Sequence, residues 1–505
     1  MGTEALRDRL ARASGPPLDA VVRLASEVRA LAPSRRDHLP RALLVGGFVR
    51  DALLGRATTD VDVEVYGVPR DRLLGLVAAM FPGRVNTVGR SFGVLKVHLA
   101  AQIDLDVSLP RSDSKTGAGH RGFTVQGDPF LDFAEASRRR DFTVNALACD
   151  PLTAEILDAH GGLRDLADGT LRAVDAGTFP DDPLRVWRAF QFVARLGFRL
   201  DPGTFGLLAS MVRRGDLAEL TRERVTDELK KLLAADRPSG GLELARLTGA
   251  MAATFPELQA LAATPQDPEW HPEGDVWVHT LMVVDAAAAA AAGGRWGLRE
   301  DEPLHVVIGA LLHDLGKAGT TETVIKDGRP RIVSPRHEAA GETPARNVLS
   351  RLTFGEEAER AALAIVRWHL SPGSLFYAFE RGELDERSYA NAVRKVLKRI
   401  HPVRWQVLLA ACEGDWRGRG IPGVGSMPFE PGVRFAEAVA AKQLDAAPDK
   451  PLVLGRDALA LGVPPGPEIG RLIAAVEEAR DRGEFTERDD ALSCLERLVK
   501  EKWGR

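Results

Sequence analysis

The sequence predicts an α+β chain: a small mixed or antiparallel sheet with flanking helices near the N-terminus, followed by helices to the C-terminus. Two observations carry this expectation. Between residues 42 and 108, short apolar runs alternate with polar residues at a period of two, as half-buried strands require. From about residue 176 onward the apolar residues recur at helical spacing, and Gly or Pro closes each run. The size supports several domains: 505 residues, 45% hydrophobic and 27% charged, suit a soluble protein of three or four domains.

In chain order, residues 1–36 read as a helical leader. Leu6 and Leu10, then Val22, Leu24, Val28 and Leu31, have helical spacing, with Gly15-Pro16-Pro17 as the break. Next comes LLVGGFVRDALLGRATTDVDVEVY, Leu43 to Tyr66. A strand from Ala42 to Val45 stops at Gly46-Gly47. A helix with Val49, Leu53 and Leu54 ends at Gly55, and a second strand runs from Asp60 to Tyr66. In that strand Val61, Val63 and Val65 share one face, and Asp60, Asp62 and Glu64 the other. Three acids on one face repel each other; a wet edge tolerates them and a divalent cation favours them. The Gly-Gly turn at a helix start offers bare N–H groups to a phosphate, with Arg50 one turn on. Such a unit is equipped for nucleotidyl transfer. Arg70 to Met80 reads as a helix, and Val94 to Leu99 and Gln102 to Ser108 as strands. The sheet then brings Asp106, or in competition Asp104, beside the first acid pair. Pro110 to Phe123 is polar and Gly-rich and reads as a mobile loop with Arg111 at its start.

GG-x-V-R-D followed by D-V-D resembles the class II branch of tRNA nucleotidyltransferases and bacterial poly(A) polymerases. The resemblance implies a nucleotidyltransferase head in which Gly46, Gly47 and Arg50 hold the triphosphate. Asp60 and Asp62 would hold Mg2+, with Asp106 as a third catalytic carboxylate. Ser137 to Leu147 is similar to the family's RRDFTINAL motif, which implies that Arg140 contacts the nucleotide and Asp141 supports the ribose side. Arg111 joins this nucleotide-binding set. In DDPLRVWRAFQF, Asp182 reads locally as an N-cap with Pro183 at the first helical position, and the helix stops at Gly197. Arg185 and Arg188, three residues apart, lie along one side of it. The resemblance implies that Asp182 and Arg185 read the base edge while Arg188 faces the phosphates. Gln191 departs from the Arg common in relatives and removes one cationic contact to the nucleotide. Residues 200–262 read as all-helical. Within them Leu217 to Leu229, with Thr221 placed as a cap, resembles the family's ERV-x-x-E brace, with Arg224 and Glu228 in support.

A second chemistry begins at Trp270-His271-Pro272-Glu273. His279 falls in a helix, and an apolar helix from Val306 ends in adjacent His313 and Asp314, then Gly316 and Lys317. His337, His369 and Asp415 follow. A lone helical His is more often a packed or surface residue. Adjacent His-Asp with an upstream His and a later Asp suits a transition metal with open positions. The order H…HD…H…H…D resembles HD-family metal-dependent phosphohydrolases. That resemblance implies a core site of His279, His313, Asp314 and Asp415, a second made by His337 and His369, and a divalent ion such as Ni2+, Mn2+ or Co2+. Lys317 would help neutralise phosphate charge.

The alanine run from Ala286 to Ala292 reads as a closely packed helix face. Arg387 to Arg404 is cation-rich, either a solvated face or an RNA contact. Gly418 to Pro431 reads as a linker, and Leu452 to Val499 as a helical tail. These readings divide the chain into a leader (1–36), a transferase head (37–175), a helical neck and body (176–264), an all-α HD domain (265–425) and a tail (426–505). A net charge of −4 excludes a global pull on nucleic acid, so an RNA site has to be a local patch. Cys149, Cys412 and Cys494 lack ligand spacing and read as buried thiols of a reducing compartment. With no signal peptide and no apolar run of about 18 residues, the expectation is a cytoplasmic monomer or homodimer without membrane or DNA partners. The expected function is template-independent addition of CCA to the tRNA 3′ end from CTP and ATP, with release of pyrophosphate. A separate HD phosphohydrolase activity would act on 2′,3′-cyclic or 2′-phosphorylated ends. The rivals are a poly(A) polymerase or A-adding enzyme, an HD phosphodiesterase whose transferase-like half only binds RNA, and a non-catalytic RNA-binding scaffold.

Overall fold

The computed structural model describes residues 17–503 apart from 57, 59, 89–93, 101–102, 116–122, 425–426, 443–451, 482–483 and 486. The chain forms two compact units. One runs to Ala260 and includes Val348–Thr353; the other comprises Leu261–Asn347 and the chain from Phe354.

The first unit is built on one mixed sheet. Helix α1 (Pro17–Ala30) precedes β1 (Arg41–Val45), α2 (Gly47–Leu54), β2 (Val61–Tyr66) and α3 (Arg70–Met80). Then come β3 (Val85–Val88), β4 (Val94–Ala100), β5 (Ile103–Ser108), β6 (Arg111–Lys115), β7 (Phe123–Gly127), α4 (Phe133–Arg138), β8 (Ala148–Cys149) and β9 (Ile156–Leu157). The sheet order is β3-β4-β5-β2-β1-β8-β9. All its pairs are antiparallel except β2 with β5, which are parallel and place Asp62 opposite Asp106. The period-two reading of β2 holds: Val61, Val63 and Val65 are buried with Val97, Leu105 and Val107 in one core. That core includes Val21, Leu24 and Val28 of α1, so the second half of the leader packs on the head; Leu6 and Leu10 lie outside the described residues. The predicted mobile loop differs as well. Its described ends pair as the antiparallel hairpin β6–β7, because ladder hydrogen bonds satisfy the backbone of a polar segment as well as of an apolar one.

Helix α5 (Leu184–Leu196) carries the DPLR motif and ends at Gly197 in the left-handed region, as expected. Its start differs. Pro183 occupies the N-cap position, and Asp182 makes one bond to the Leu184 N–H at 3.2 Å while its carboxylate is engaged elsewhere. Helix α6 (Arg222–Leu233) follows Thr221, which occupies the cap position without a side-chain cap bond. Phe142, between Phe179 and Phe192 at ring distances of 5.6 and 5.7 Å, anchors α5 to the RRDF segment.

The second unit is mainly helical. Helices α7 (Val276–Ala292), α8 (Glu302–Leu312), α9 (Glu356–Trp368) and α10 (Trp405–Arg417) surround the His-Asp cluster. A hairpin, β10 (Glu322–Lys326) with β11 (Arg329–Val333), interrupts the all-helical expectation. The alanine run lies on α7 and packs closely. A Cβ on Gly414 of α10 would fall 2.7 Å from Ala287 Cβ, and one on Gly418 2.5 Å from Val283 Cγ2. In the predicted linker after α10, Phe429 is buried against Trp416, while Ile421 and Met427 are exposed. The tail helices α11 (Gly455–Ala460), α12 (Pro467–Asp481) and α13 (Arg488–Trp503) close around their own core of Val453, Val463, Val476 and Leu495.

Candidate active sites

The first site is a cavity of about 1180 Å³ in the first unit. The β1–α2 turn, the start of β2, the RRDF segment and α5 converge on it. Gly46 makes the turn at φ +74°, and a side chain there would lie 2.8 Å from Arg140 Nη1, so only glycine keeps the backbone open to a ligand. Asp60, just before β2, and Asp62 line the cavity. Burial, then repulsion from Asp60, pushes the Asp62 carboxyl up to about 6, against the pull of Arg140. Asp106 stands in register with Asp62 but does not line the cavity. Its Oδ1 is buried without a hydrogen bond, 4.0 Å from Lys96 Nζ, and burial raises its pKa. Asp104 instead pairs with His98 and Lys96. A crowded carboxylate group with a bare buried oxygen fits a hard divalent cation.

Glu64 does not join that cluster. It is buried and accepts from Arg139 at 2.8 Å, Arg140 at 3.4 Å and the Tyr66 hydroxyl at 2.8 Å. The third acid of the strand thus orients arginines, which removes the need for a wet edge.

Every residue assigned to the nucleotide lines the cavity: Gly46, Gly47, Arg50, Arg111, Arg140, Asp141, Asp182, Arg185 and Arg188. Their partners refine the expectation. Arg50 is buried, forked onto Asp51, and donates to Asn145 Oδ1. Asn145 donates to Asp141 at 3.0 Å, and Asp141 accepts from Arg188 at 2.7 Å. Burial would raise Asp141, but Arg188 and Asn145 outweigh it and hold the carboxyl low. Asp141 therefore reaches Arg188 directly. Asp182 and Arg185 are not paired with each other. Arg224 of α6 takes Asp182 at 3.0 Å, while Arg185 donates to the carbonyls of Thr178, Phe179 and Arg139. A helical spacing places Asp182 and Arg185 near each other but does not say which distant partner competes. Gln191 is buried and accepts from Arg195 at 3.3 Å, so a guanidinium from the next turn comes to the position where the motif lacks one. Ten Arg or Lys and seven Asp or Glu line the cavity, a cationic balance in a chain of net charge −4. It suits a triphosphate and an RNA end.

The second site joins all six predicted HD residues. His313, His337 and His369 present Nδ1 to the carbonyls of Ala310, Ser334 and Val366 at 2.7, 2.8 and 3.0 Å, and His279 Nδ1 donates to Glu273 at 2.9 Å. Each Nδ1 is thereby committed, and each Nε2 turns inward as a ligand. His279, His313 and Asp415 form one buried triad; Asp314, His337 and His369 form another. Asp314 reaches both: Oδ2 lies 3.1 Å from His313 Nε2, and Oδ1 lies 3.3 Å from His337 Nε2. Asp314 thus stands in the expected core set through one oxygen and reaches His337 and His369 through the other. His279 Nε2, His313 Nε2 and both Asp314 oxygens are buried without a hydrogen bond of good geometry. Mixed imidazole and carboxylate donors left bare in this way fit one or two transition-metal ions. Burial, then His313, lowers the His369 imidazole to about 3, so it stays neutral as a ligand must be. Lys317 lies 2.7 Å from Asp314 Oδ2. Sequence reasoning left Glu273 and Asn145 without roles; a polar residue inside an apolar stretch was the available signal for Asn145.

Three family descriptions match in chain order: the Poly A polymerase head domain over residues 42–172, the probable RNA and SrmB-binding site of polymerase A over 197–261, and the HD domain over 276–396. A multifunctional CCA protein of Xanthomonas campestris pv. campestris is 36% identical over 445 residues, covering 86% of this chain and 98% of the relative. The chain belongs to the multifunctional CCA protein family. The family's protein from Stenotrophomonas maltophilia is 36% identical over 379 residues, 74% of this chain and 86% of its own. Among solved structures, the Bacillus stearothermophilus CCA-adding enzyme in complex with CTP shares the fold at TM-score 0.59, 21% identity, and coverage of 97% and 100%. The Thermotoga maritima CCA-adding enzyme complexed with tRNA does so at 0.55, 19%, 97% and 98%. As a multifunctional CCA protein the chain is a nucleotidyltransferase joined to an HD domain. No helix among its described residues is long and apolar enough to cross a membrane.

Proposed function

We propose that the first cavity adds and repairs the 3′-terminal CCA of tRNA from CTP and ATP, with release of pyrophosphate. The carrying observation is that Asp60 and Asp62 line one arginine-rich cavity together with the Gly46–Gly47 turn, with the Asp62 carboxyl raised by burial and by its neighbour Asp60. Asp60 and Asp62, with Asp106 beside them, would hold Mg2+, which would supply positive charge to the terminal 3′-hydroxyl and to the pyrophosphate. The 3′-oxygen bonds to the α-phosphorus, the bond to the β-phosphate oxygen breaks, and the hydroxyl proton leaves to solvent. Gly46 and Gly47 cradle the triphosphate, and Arg50, Arg111 and Arg140 offset its charge. Asp141, through Arg188 and Asn145, holds the cations that frame the ribose and phosphates. Asp182 and Arg185 face the base, with Asp182 steadied by Arg224.

The second cavity acts as a phosphohydrolase on 2′,3′-cyclic or 2′-phosphorylated nucleotide ends, with Ni2+, Mn2+ or Co2+ at His279, His313, Asp314, His337, His369 and Asp415. A metal there supplies the acidity that lets water act as nucleophile near neutral pH. Water oxygen bonds to phosphorus, one ribose–oxygen bond to phosphorus breaks, and that oxygen takes a proton. Lys317 and Arg419 line this cavity and offset phosphate charge.

Three transcripts, ending before CCA, after C and after CC, test the first reading when incubated with CTP, ATP or both and sized on a gel. Products stopping after CCA are expected. Long A tails from ATP alone on any RNA would establish a poly(A) polymerase instead. Gain of a single A only on the CC-ending transcript would establish an A-adding enzyme.

A further inference from the structure

We infer that the HD cavity is built for a nucleotide whose base rests on Trp270, with no preference among bases; this deepens, and rests on, the hydrolase reading. The cavity holds about 230 Å³, below the ~300–1,000 Å³ of sites that engulf a drug-sized ligand. Asp314, His337, His369 and Asp415 line it, with Lys317 beside Asp314. It houses a phosphate and the sugar atoms next to it, so a ring carried by that sugar lies at the mouth.

Trp270 borders that cavity and is 55% exposed. Indoles normally bury most of their surface. Its loop is stitched in place by Asp267, whose carbonyl accepts from the Trp270 N–H at 3.1 Å. The Asp267 carboxylate accepts from the Glu269 and Ile332 N–H groups at 3.1 and 3.2 Å and pairs with Arg331 at 3.2 Å. The loop is thereby tied to β11, and Ile332 borders the same cavity. A fixed, half-exposed aromatic at a phosphate-handling cavity is a stacking platform.

The amide of Gln266 and the carboxylate of Asp267, which border the same cavity, are already committed. Both Asp267 oxygens are used, Gln266 Oε1 accepts from Lys317 at 2.8 Å, and Gln266 Nε2 donates to the Gly274 and Asp275 carbonyls. Neither residue is left to read a base edge, and stacking tolerates any base because each has a π-face.

The test compares adenosine 2′,3′-cyclic phosphate with the base-free methyl riboside 2,3-cyclic phosphate on the full chain loaded with Ni2+. Wild type should favour the nucleotide by about ten-fold in kcat/KM, carried by KM. Trp270→Ala should bring the ratio near one, Trp270→Phe should retain most of it, and the four bases should give similar KM. A ratio unchanged in Trp270→Ala, or near one in wild type, overturns the platform. If wild type hydrolyses neither compound, the hydrolase reading fails separately, and calorimetry decides the platform. Adenosine 2′-phosphate must then bind wild type about ten-fold more tightly than Trp270→Ala, and equal binding overturns it.

Discussion

Asp62 is where burial and charge conflict most directly. A carboxyl whose folded pKa is raised stabilises the fold while protonated. That contribution is complete below its ordinary value of 3.8 and is lost as pH rises through about 6. Above pH 6 the ionised pair with Asp60 therefore weakens the metal-free protein, and a cation between them reverses this. Magnesium should raise the thermal midpoint more at pH 8 than at pH 5, and an equal shift at both would show that the pair holds no ion. Asn145 carries a different load, joining Arg50 to Asp141. Asn145→Ala leaves buried partners unsatisfied, a cost of about 1–3 kcal/mol. It should lower stability by chemical denaturation and raise KM for both nucleotides. Burial, with Asp150 nearby, pushes the Cys149 thiol up to about 12. Iodoacetamide at pH 8 should leave Cys149 unmodified until the chain is unfolded, as mass spectrometry can read. That these acids and histidines gather in two cavities was largely legible, because Asp-Val-Asp and His-Asp are local patterns. The pairing of Asp182 with Arg224, 42 positions away, was not. No periodicity encodes which of several arginines reaches a given carboxylate.

Among the elements, the crossing of α7 and α10 tolerates little change. Gly414 meets Ala287 at backbone distance, and overpacking a core costs about 1–3 kcal/mol or more. Gly414→Leu should destabilise the second unit and release metal from His279 and Asp415, which these two helices carry; metal analysis after dialysis checks this. The helices themselves were legible from apolar spacing and from their stops, as at Gly197. The hairpins β6–β7 and β10–β11 were not, since their polar strands lack the alternation that marks a buried face. Glu64 shows the limit within an element that was otherwise well foreseen. Alternation placed it beside Tyr66 on the acidic face, but only the fold brings Arg139 and Arg140 to it.

At the scale of the molecule, the two cavities use separate residues and should be separable by mutation. Asp60→Ala with Asp62→Ala should abolish nucleotide addition, by at least about a hundred-fold, and spare hydrolysis of 2′,3′-cyclic phosphate. His313→Ala should do the reverse, and loss of both activities in either variant would contradict this division. The cationic excess of the transferase cavity has a consequence for the search through a cell full of RNA. The chain as a whole is negative, so the residues outside the cavity are more negative still. The chain's overall charge therefore gives a passing polyanion no attraction, and the pull on phosphate is concentrated where the arginines converge on the cavity. A strand end that reaches that cavity is held by a local field that the rest of the chain does not advertise.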